Sequence, residues 1–315
     1  MRKWLNIVLS LLLLAGGAVL CAVRWQAWFG MPPEPRWEGE TADYRFPAVS
    51  DSLPPGEDGV LTFIVLGDIH NRLAAADYDS IAARVPQADA VAQTGDWLDR
   101  GQDYYYQALM HEWTGSALYG LPVIACPGNH EYTKGLHRTL SPVWDYTFAH
   151  PCSGITGVPG VDYYTDLPGM RLIVLDTNPL TRMVYLTRTL TWLRGVIDSA
   201  GERYTVVLMH HPVLSPAKGR VNILIYTAFR HVLGDADLVI AGHDHSYMRR
   251  TPFVVLNSAG RPKTQRMRFV PERTDTAMTY GVLAVESQEH RPQMTFTVCR
   301  MSDGFPIDTV YVSHD

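Results

Sequence analysis

Five short apolar runs, each leading into a polar turn that carries Asp, Asn or His, constrain the fold of this chain more than any other feature of its sequence. Val60–Leu66 leads into Gly67-Asp68-Ile69-His70, and Ala88–Val91 is followed by Gly95-Asp96-Trp97-Leu98-Asp99-Arg100-Gly101. Pro122–Ala125 precedes Gly128-Asn129-His130-Glu131. Val206–Met209 runs into His210-His211-Pro212, and Leu238–Ala241 into Gly242-His243-Asp244-His245. Near-continuous runs rich in Val and Ile are the pattern of strands buried on both faces. Leu172–Leu175, Phe253–Leu256, Tyr280–Val285 and Gln293–Arg300 read as further strands. Helical stretches lie between several of them, at Tyr78–Val85, Tyr104–Leu118, Leu186–Ser199 and Val221–Leu233. The expected fold is an α/β layered domain with at least two packed sheets and helices outside. The strand-rich last third is expected to complete the second sheet. Ligands of such sheets gather at the carboxyl ends of the strands, so turns far apart in sequence should meet in one crevice.

A single Asp-x-His arises often by chance, and one polar residue after a strand can be a helix cap. Five such turns in one chain point instead to a shared site. Twelve histidines are available to it. Carboxylate, amide oxygen and imidazole without thiolate suit divalent transition ions such as Mn²⁺, Fe²⁺ or Zn²⁺. The five turns offer seven candidate ligands. They are too many for one tetrahedral ion and fit two ions about 3.5–4 Å apart, with one carboxylate bridging. Such a pair activates water and neutralises charge on a phosphoryl group. Cys21, Cys126, Cys152 and Cys299 form no CxxC pair, so neither a thiolate zinc site nor a thioredoxin-type motif is indicated. The chain has no G-x-S-x-G elbow and no GxxxxGK[ST] loop. Its net charge of -5 carries no nucleic-acid signature.

These five blocks resemble those of the calcineurin-like metallophosphoesterase superfamily, which includes purple acid phosphatases and serine/threonine protein phosphatases. The resemblance covers about residues 60–260. It implies a four-layer α/β/β/α sandwich and a hydrolase acting on phosphoric ester bonds. By motif, Asp68, His70 and His245 would hold one metal; Asn129, His210 and His243 would hold the other; Asp96 would bridge them. His130 would protonate or stabilise the leaving oxygen, Asp99 would orient His130, and Arg100 would contact phosphate. His211 and Asp244 read as structural neighbours of these ligands. Purple acid phosphatases carry a Tyr three residues after the bridging Asp, where this chain has Asp99, so an Fe³⁺ site is not implied. The expected substrate is a small phosphate ester, mono- or diester, such as a nucleotide, a phosphosugar or a lipid headgroup. Specificity is expected in the loops Tyr132–Asp162 and Pro212–Val221, the first of which offers Lys134, His137, Arg138, Trp144 and Tyr146. The rival reading is an inactive, membrane-tethered phosphoester-binding module of the same fold. Such a module would be expected to have lost a ligand or His130, and none is missing.

Ahead of this domain, Arg2 and Lys3 precede an apolar run from Trp4 to Val23. About 20 residues is the length that spans a bilayer as a helix. Residues 1–23 are therefore expected to be a membrane anchor or, alternatively, a cleaved signal peptide. The basic start favours a cytoplasmic N-terminus and an extracytoplasmic domain, secreted or periplasmic if cleaved. Residues 24–58, with Pro32, Pro33, Pro35, Pro47, Pro54 and Pro55, read as a semi-rigid tether to a domain spanning 59–315. Export would permit a disulfide, for which Cys126 and Cys152 are the expected pair.

Overall fold

The run Val60–Leu66 forms strand β1 of the computed structural model, and its side chains explain why the whole run is apolar. Leu61, Phe63 and Val65 point into one apolar cluster, while Ile64 and Leu66 point into another. The structure describes residues 45–133, 138–148, 161–179, 183–215, 223–263, 271–286 and 293–314, together with Gly16, Gly17 and Val19. β1 pairs in parallel with β2 (Ala90–Gln93), which pairs in parallel with β3 (Val123–Ala125). Helices α1 (Ala75–Arg84) and α2 (Asp103–Thr114) pack on the outer face of this sheet through Tyr78, Ile81, Tyr106, Leu109, Met110 and Trp113.

The second sheet is built around β5 (Met170–Leu175), β6 (Tyr204–Met209) and β7 (Leu238–Ala241), all parallel. Leu172, Val174, Val206, Leu208, Leu238 and Ile240 face the first sheet and share one cluster with β1. Ile173, Leu175, Val207, Met209 and Val239 face outward beneath helices α4 (Met183–Asp198) and α5 (Ile223–Val232), which follow the short helix α3 (Trp144–Thr147). The layers thus run helices, sheet, sheet, helices. Strands sandwiched this way bury both faces, hence their unbroken apolar runs.

The C-terminal third departs from expectation. β11 (Thr279–Glu286), β12 (Met294–Arg300) and β13 (Pro306–Val312) extend the first sheet, not the second, in the order β13-β12-β11-β1-β2-β3. β11 docks antiparallel along the whole of β1, from Val60 opposite Glu286 to Leu66 opposite Tyr280. Without β11, the free edge of β1 would leave a row of buried backbone groups unpaired. The second sheet instead gains β4 (Tyr163–Leu167), β8 (Tyr247–Arg250), β9 (Phe253–Val255) and β10 (Arg273–Asp275), in the order β10-β8-β9-β7-β6-β5-β4. β4, β10 and β13 are edge strands with exposed side chains, so their sequences lack a continuous apolar run.

Residues 45–58, read from sequence as tether, pack on the domain. Phe46 stacks on Trp97 and Phe148 at centroid distances of 5.1 and 5.0 Å, and meets Trp113 edge-on at 5.3 Å. Val123 N donates to Pro47 O at 2.7 Å, so the segment covers the free edge of β3. A side chain held in such an aromatic pocket carries much of the local packing energy. Phe46→Ala is expected to lower unfolding free energy by about 3–5 kcal/mol, read from the midpoint of urea denaturation. A loss below about 1 kcal/mol would return the segment to the role of a loose tether.

The apolar run at 4–23 lies outside the described residues apart from Gly16, Gly17 and Val19, and no helix among the described residues is long and apolar enough to cross a membrane. Cys126 is a buried free thiol whose Sγ lies 3.3 Å from Leu175 O; Cys152 lies outside the described residues.

Candidate metal centre

The turns after β1, β2 and β7 adopt a backbone that side chains normally avoid. His70 (φ 55°), Asn71 (53°), Asp96 (56°), His243 (71°) and His245 (54°) all sit in the left-handed region. Such residues cost about 1–3 kcal/mol each and persist only where neighbours over-determine them. Here the neighbours are one another. Ile69 N and His70 N both donate to Asp96 O at 2.9 and 3.0 Å, Asn71 N donates to Trp97 O at 2.9 Å, and His243 N donates to Asp68 Oδ1 at 2.8 Å. Gly128 is needed for the same crowding: a Cβ there would strike the main-chain N and carboxylate of Asp96.

The turns bring all seven candidate ligands together. Asp68, His70 and His245 form one group, with His245 Nε2 at 2.9 Å from Asp68 Oδ2 and 3.1 Å from His70 Nε2. Asn129, His210 and His243 form another, with His210 Nε2 at 3.2 Å from both Asn129 Oδ1 and His243 Nδ1. Asp96 lies between them, its Oδ2 at 3.3 Å from His210 Nε2 and 3.9 Å from His70 Nε2. Ligand atoms bound at about 2.0–2.2 Å from one ion stand about 3 Å apart, the spacing seen here.

The tautomers sharpen this. His210 Nδ1 donates to Thr94 O at 2.9 Å, and His245 Nδ1 donates to Arg261 O at 2.5 Å. In the neutral rings each Nε2 is then a bare lone pair aimed at a carboxylate oxygen. Asp68 Oδ2 is itself buried with no hydrogen-bond donor. Lone pairs pressed together without water are unfavourable unless a proton or cation lies between them. The electrostatics agree. Burial disfavours a charged His210, yet the Asp96, Asp68 and Glu131 carboxylates outweigh it and push the imidazole up to about 10. Burial opposes ionised Asp96 too, but His210, His130 and His70 hold it far below the usual carboxylate range. At His70 burial prevails over the Asp96 and Asp68 carboxylates and pulls the ring down to about 4. The pocket demands positive charge beside its buried carboxylates, supplied by a proton or by a cation, so its residues fit divalent metals.

Against that geometry, the sequence profile of the family described as calcineurin-like phosphoesterase matches residues 61–247, more than half of the chain. The chain belongs to this family. A glycerophosphodiester phosphodiesterase, GpdQ, from Enterobacter lignolyticus (strain SCF1) is 29% identical over 166 residues, which is 50% of this chain and 56% of that protein. A purple acid phosphatase from yellow lupin seeds (Lupinus luteus) superposes with a TM-score of 0.64 at 15% identity, over 83% of this chain and 55% of that one. GAP50, the anchor in the inner membrane complex of Plasmodium, superposes with a TM-score of 0.58 at 15% identity, over 81% of this chain and 89% of that one. The chain thus spans little more than half the length of the first two, and the structural likenesses concern the fold alone. Members of this family of phosphoesterase hydrolases typically bind divalent metals, and the described residues of this chain include His/Asp clusters that could hold a metal ion.

His130 stands beside the ligand groups, its Nε2 at 3.9 Å from Asp96 Oδ2. Its Nδ1 donates to the main-chain carbonyl of Asp99 at 2.6 Å. Asp99 thus meets His130 through its main chain, while its carboxylate faces His70 Nδ1 at 3.9 Å. Arg100 is exposed and makes no hydrogen bond or ion pair to the ligand groups among the described residues. Of the aromatic-basic loop residues, Trp144 is buried in the helix-side core against Phe148 and is not available to a substrate. Tyr146 is half-buried, Arg138 is exposed, and Lys134 and His137 lie outside the described residues.

Three further contributions complete the site; Glu131 and the turn after β5 escaped the sequence reading, while His211 was read as a neighbour of the ligands. Glu131 accepts from Asp96 N, Gly128 N and Leu98 N at 2.9, 2.7 and 3.0 Å, tying the second turn to the third. Its place in the Gly-Asn-His-Glu block was the available signal. His211 is also at the site, its ring centroid 4.3 Å from that of His243. The third is the turn after β5, Asp176-Thr177-Asn178, which carries the same polar-after-apolar signal as the other five strand ends.

Proposed function

We propose that the chain is a metal-dependent phosphodiesterase with a dinuclear site, acting on small diesters of the glycerophosphodiester kind. One observation carries the metal dependence: the imidazole lone pairs of His210 and His245 converge on the Asp96 and Asp68 carboxylates. The diester preference is supported by the GpdQ relative, whose similarity runs over half of this chain. In this reading Asp68, His70 and His245 would hold one ion and Asn129, His210 and His243 the other, with Asp96 able to serve both. The ions, when bound, lower the pKa of water and offset charge on the phosphoryl oxygens. His130, its Nδ1–H bonded to the carbonyl of Asp99, would carry a second proton on Nε2 as imidazolium and give it to the departing oxygen, leaving neutral imidazole. The hydrogen bonds at Thr94 and Arg261 keep His210 and His245 in the tautomer that leaves Nε2 for the metal.

Removing bound metal with a chelator is expected to abolish hydrolysis of glycerophosphodiesters, and added Mn²⁺ to restore it. Glycerophosphodiesters are expected to be better substrates than the corresponding phosphomonoesters by kcat/KM. Undiminished activity in metal-free protein would overturn the metal role; a preference for monoesters would overturn the diester assignment alone.

We further propose that the domain lies outside the cytoplasmic membrane, supported by Arg2, Lys3 and the apolar run from Trp4 to Val23. A periplasm-requiring reporter fused after residue 44 should be active, and activity only from a cytoplasm-requiring reporter would overturn this topology.

A further inference from the structure

The turn after β5 reaches the half of the site formed by Asn129, His210 and His243 without supplying one of the seven candidate ligands. Asn178 Nδ2 donates to the carbonyls of Pro127 and Gly128, at 3.0 and 3.3 Å. Those carbonyls immediately precede Asn129. Asp176 fixes the amide that does this. Its Oδ1 accepts from Asn178 N at 2.9 Å and lies 2.8 Å from Asn178 Nδ2, while its Oδ2 accepts from the Tyr132 hydroxyl. Tyr132 lies three residues beyond Asn129. Asp176 and Asn178 therefore grip the 127–132 turn on both sides of its candidate ligand.

The opposite side of the turn is closed as well. Gly128 N donates to Glu131 Oε2 at 2.7 Å, and Gly128 packs directly on Asp96. Glycine has the most backbone freedom to lose, so a Gly-Asn ligand turn left to itself would have to be ordered when the metal binds. A neutral amide oxygen is also the weakest donor among the ligand types here, so its value as a ligand depends on being held in place beforehand.

We infer that Asn178 is a positioning residue for the second metal: its side-chain amide fixes the Pro127-Gly128 carbonyls, and through them the place where Asn129 Oδ1 meets His210 and His243. The inference rests on the dinuclear reading above. Loss of a group that orients a ligand typically costs about 10–100-fold in metal affinity. That cost should fall on one metal, because among the described residues Asn178 makes no hydrogen bond to Asp68, His70 or His245. Its hydrogen-bond partners are Pro127, Gly128 and Asp176.

Stepwise titration of the metal-free full chain with Co²⁺, followed by visible absorption, tests this. Wild-type protein should show two binding steps. In Asn178→Asp, which keeps the shape but turns an oxygen toward the two carbonyls, one step should weaken by about 10–100-fold while the other stays as in wild type. Asn178→Ala, which removes the donors without adding repulsion, should weaken the same step. Two wild-type-like steps in both variants would overturn the positioning role, as would equal weakening of both steps or failure of both variants to fold. Fewer than two steps in the wild-type protein would overturn the dinuclear reading itself, which separates the two failures.

Discussion

Asp96→Asn is expected to strip metal from the protein more completely than any other single change at the site. Among the described residues, Asp96 Oδ2 is the one carboxylate oxygen within 4 Å of His70, His130 and His210 together. In a dinuclear site it would offset repulsion between two dications, and an amide of the same shape supplies no such charge. The turn itself should survive, because the main-chain carbonyl of Asp96, not its side chain, accepts from Ile69 and His70. The loss is therefore expected in metal content and not in folding. Even an orienting group one step removed is worth about 10–100-fold in metal affinity, so the shared ligand should exceed that. With several kcal/mol of charge stabilisation removed, kcat/KM for a phosphodiester should fall by more than about 10³-fold. Elemental analysis of purified protein, beside its thermal melting curve, is the measurement. Retention of two tightly bound metals would remove Asp96 from the shared position.

His130→Ala is expected to separate substrates by their leaving groups. A positioned general acid contributes about 10²–10⁴-fold when the departing oxygen needs a proton. An alkoxide does and a nitrophenolate hardly does. Alkyl phosphodiesters should therefore slow by about that factor, nitrophenyl esters far less, and metal content should stay near wild type. The geometry adds a companion result. Because His130 Nδ1 donates to the carbonyl of Asp99 and not to its carboxylate, Asp99→Asn should leave His130 in place. It should cost less than about tenfold on either substrate. Equal loss on both substrate types in His130→Ala would reduce His130 to a turn residue. A leaving-group-dependent loss in Asp99→Asn as large as that in His130→Ala would return the orienting role to the Asp99 side chain.

Much of this site was legible from residue order alone. Asp68, His70, Asp96, Asn129, His210, His243 and His245 each come after an apolar run, and a strand buried on both faces must deliver the next turn to the end of its sheet. That rule needs no distances, which is why the meeting of these candidate ligands and the two-sheet architecture could be read from the sequence. The antiparallel strands β4, β8, β10 and β13 did not: β4, β10 and β13 are edge strands that meet solvent, and β8 is short and ends in Arg249 and Arg250, so their apolar pattern is broken. Nor could sequence assign β11–β13 to the first sheet: an alternating strand suits either sheet, and only the unpaired edge of β1 selects its partner. Phe46 looked like part of a proline-rich tether because the pocket that receives it is assembled from Trp97, Trp113 and Phe148, far along the chain. The groups that hold His130 and the turn leading into Asn129 were hidden for a related reason. One is a main-chain carbonyl and the other the turn after β5, and hydrogen bonds to backbone leave no mark on residue type. The sequence by itself determined which side chains meet, because strand ends must converge; tertiary structure alone decided which way each one points, because orientation is set by backbone groups that every residue shares.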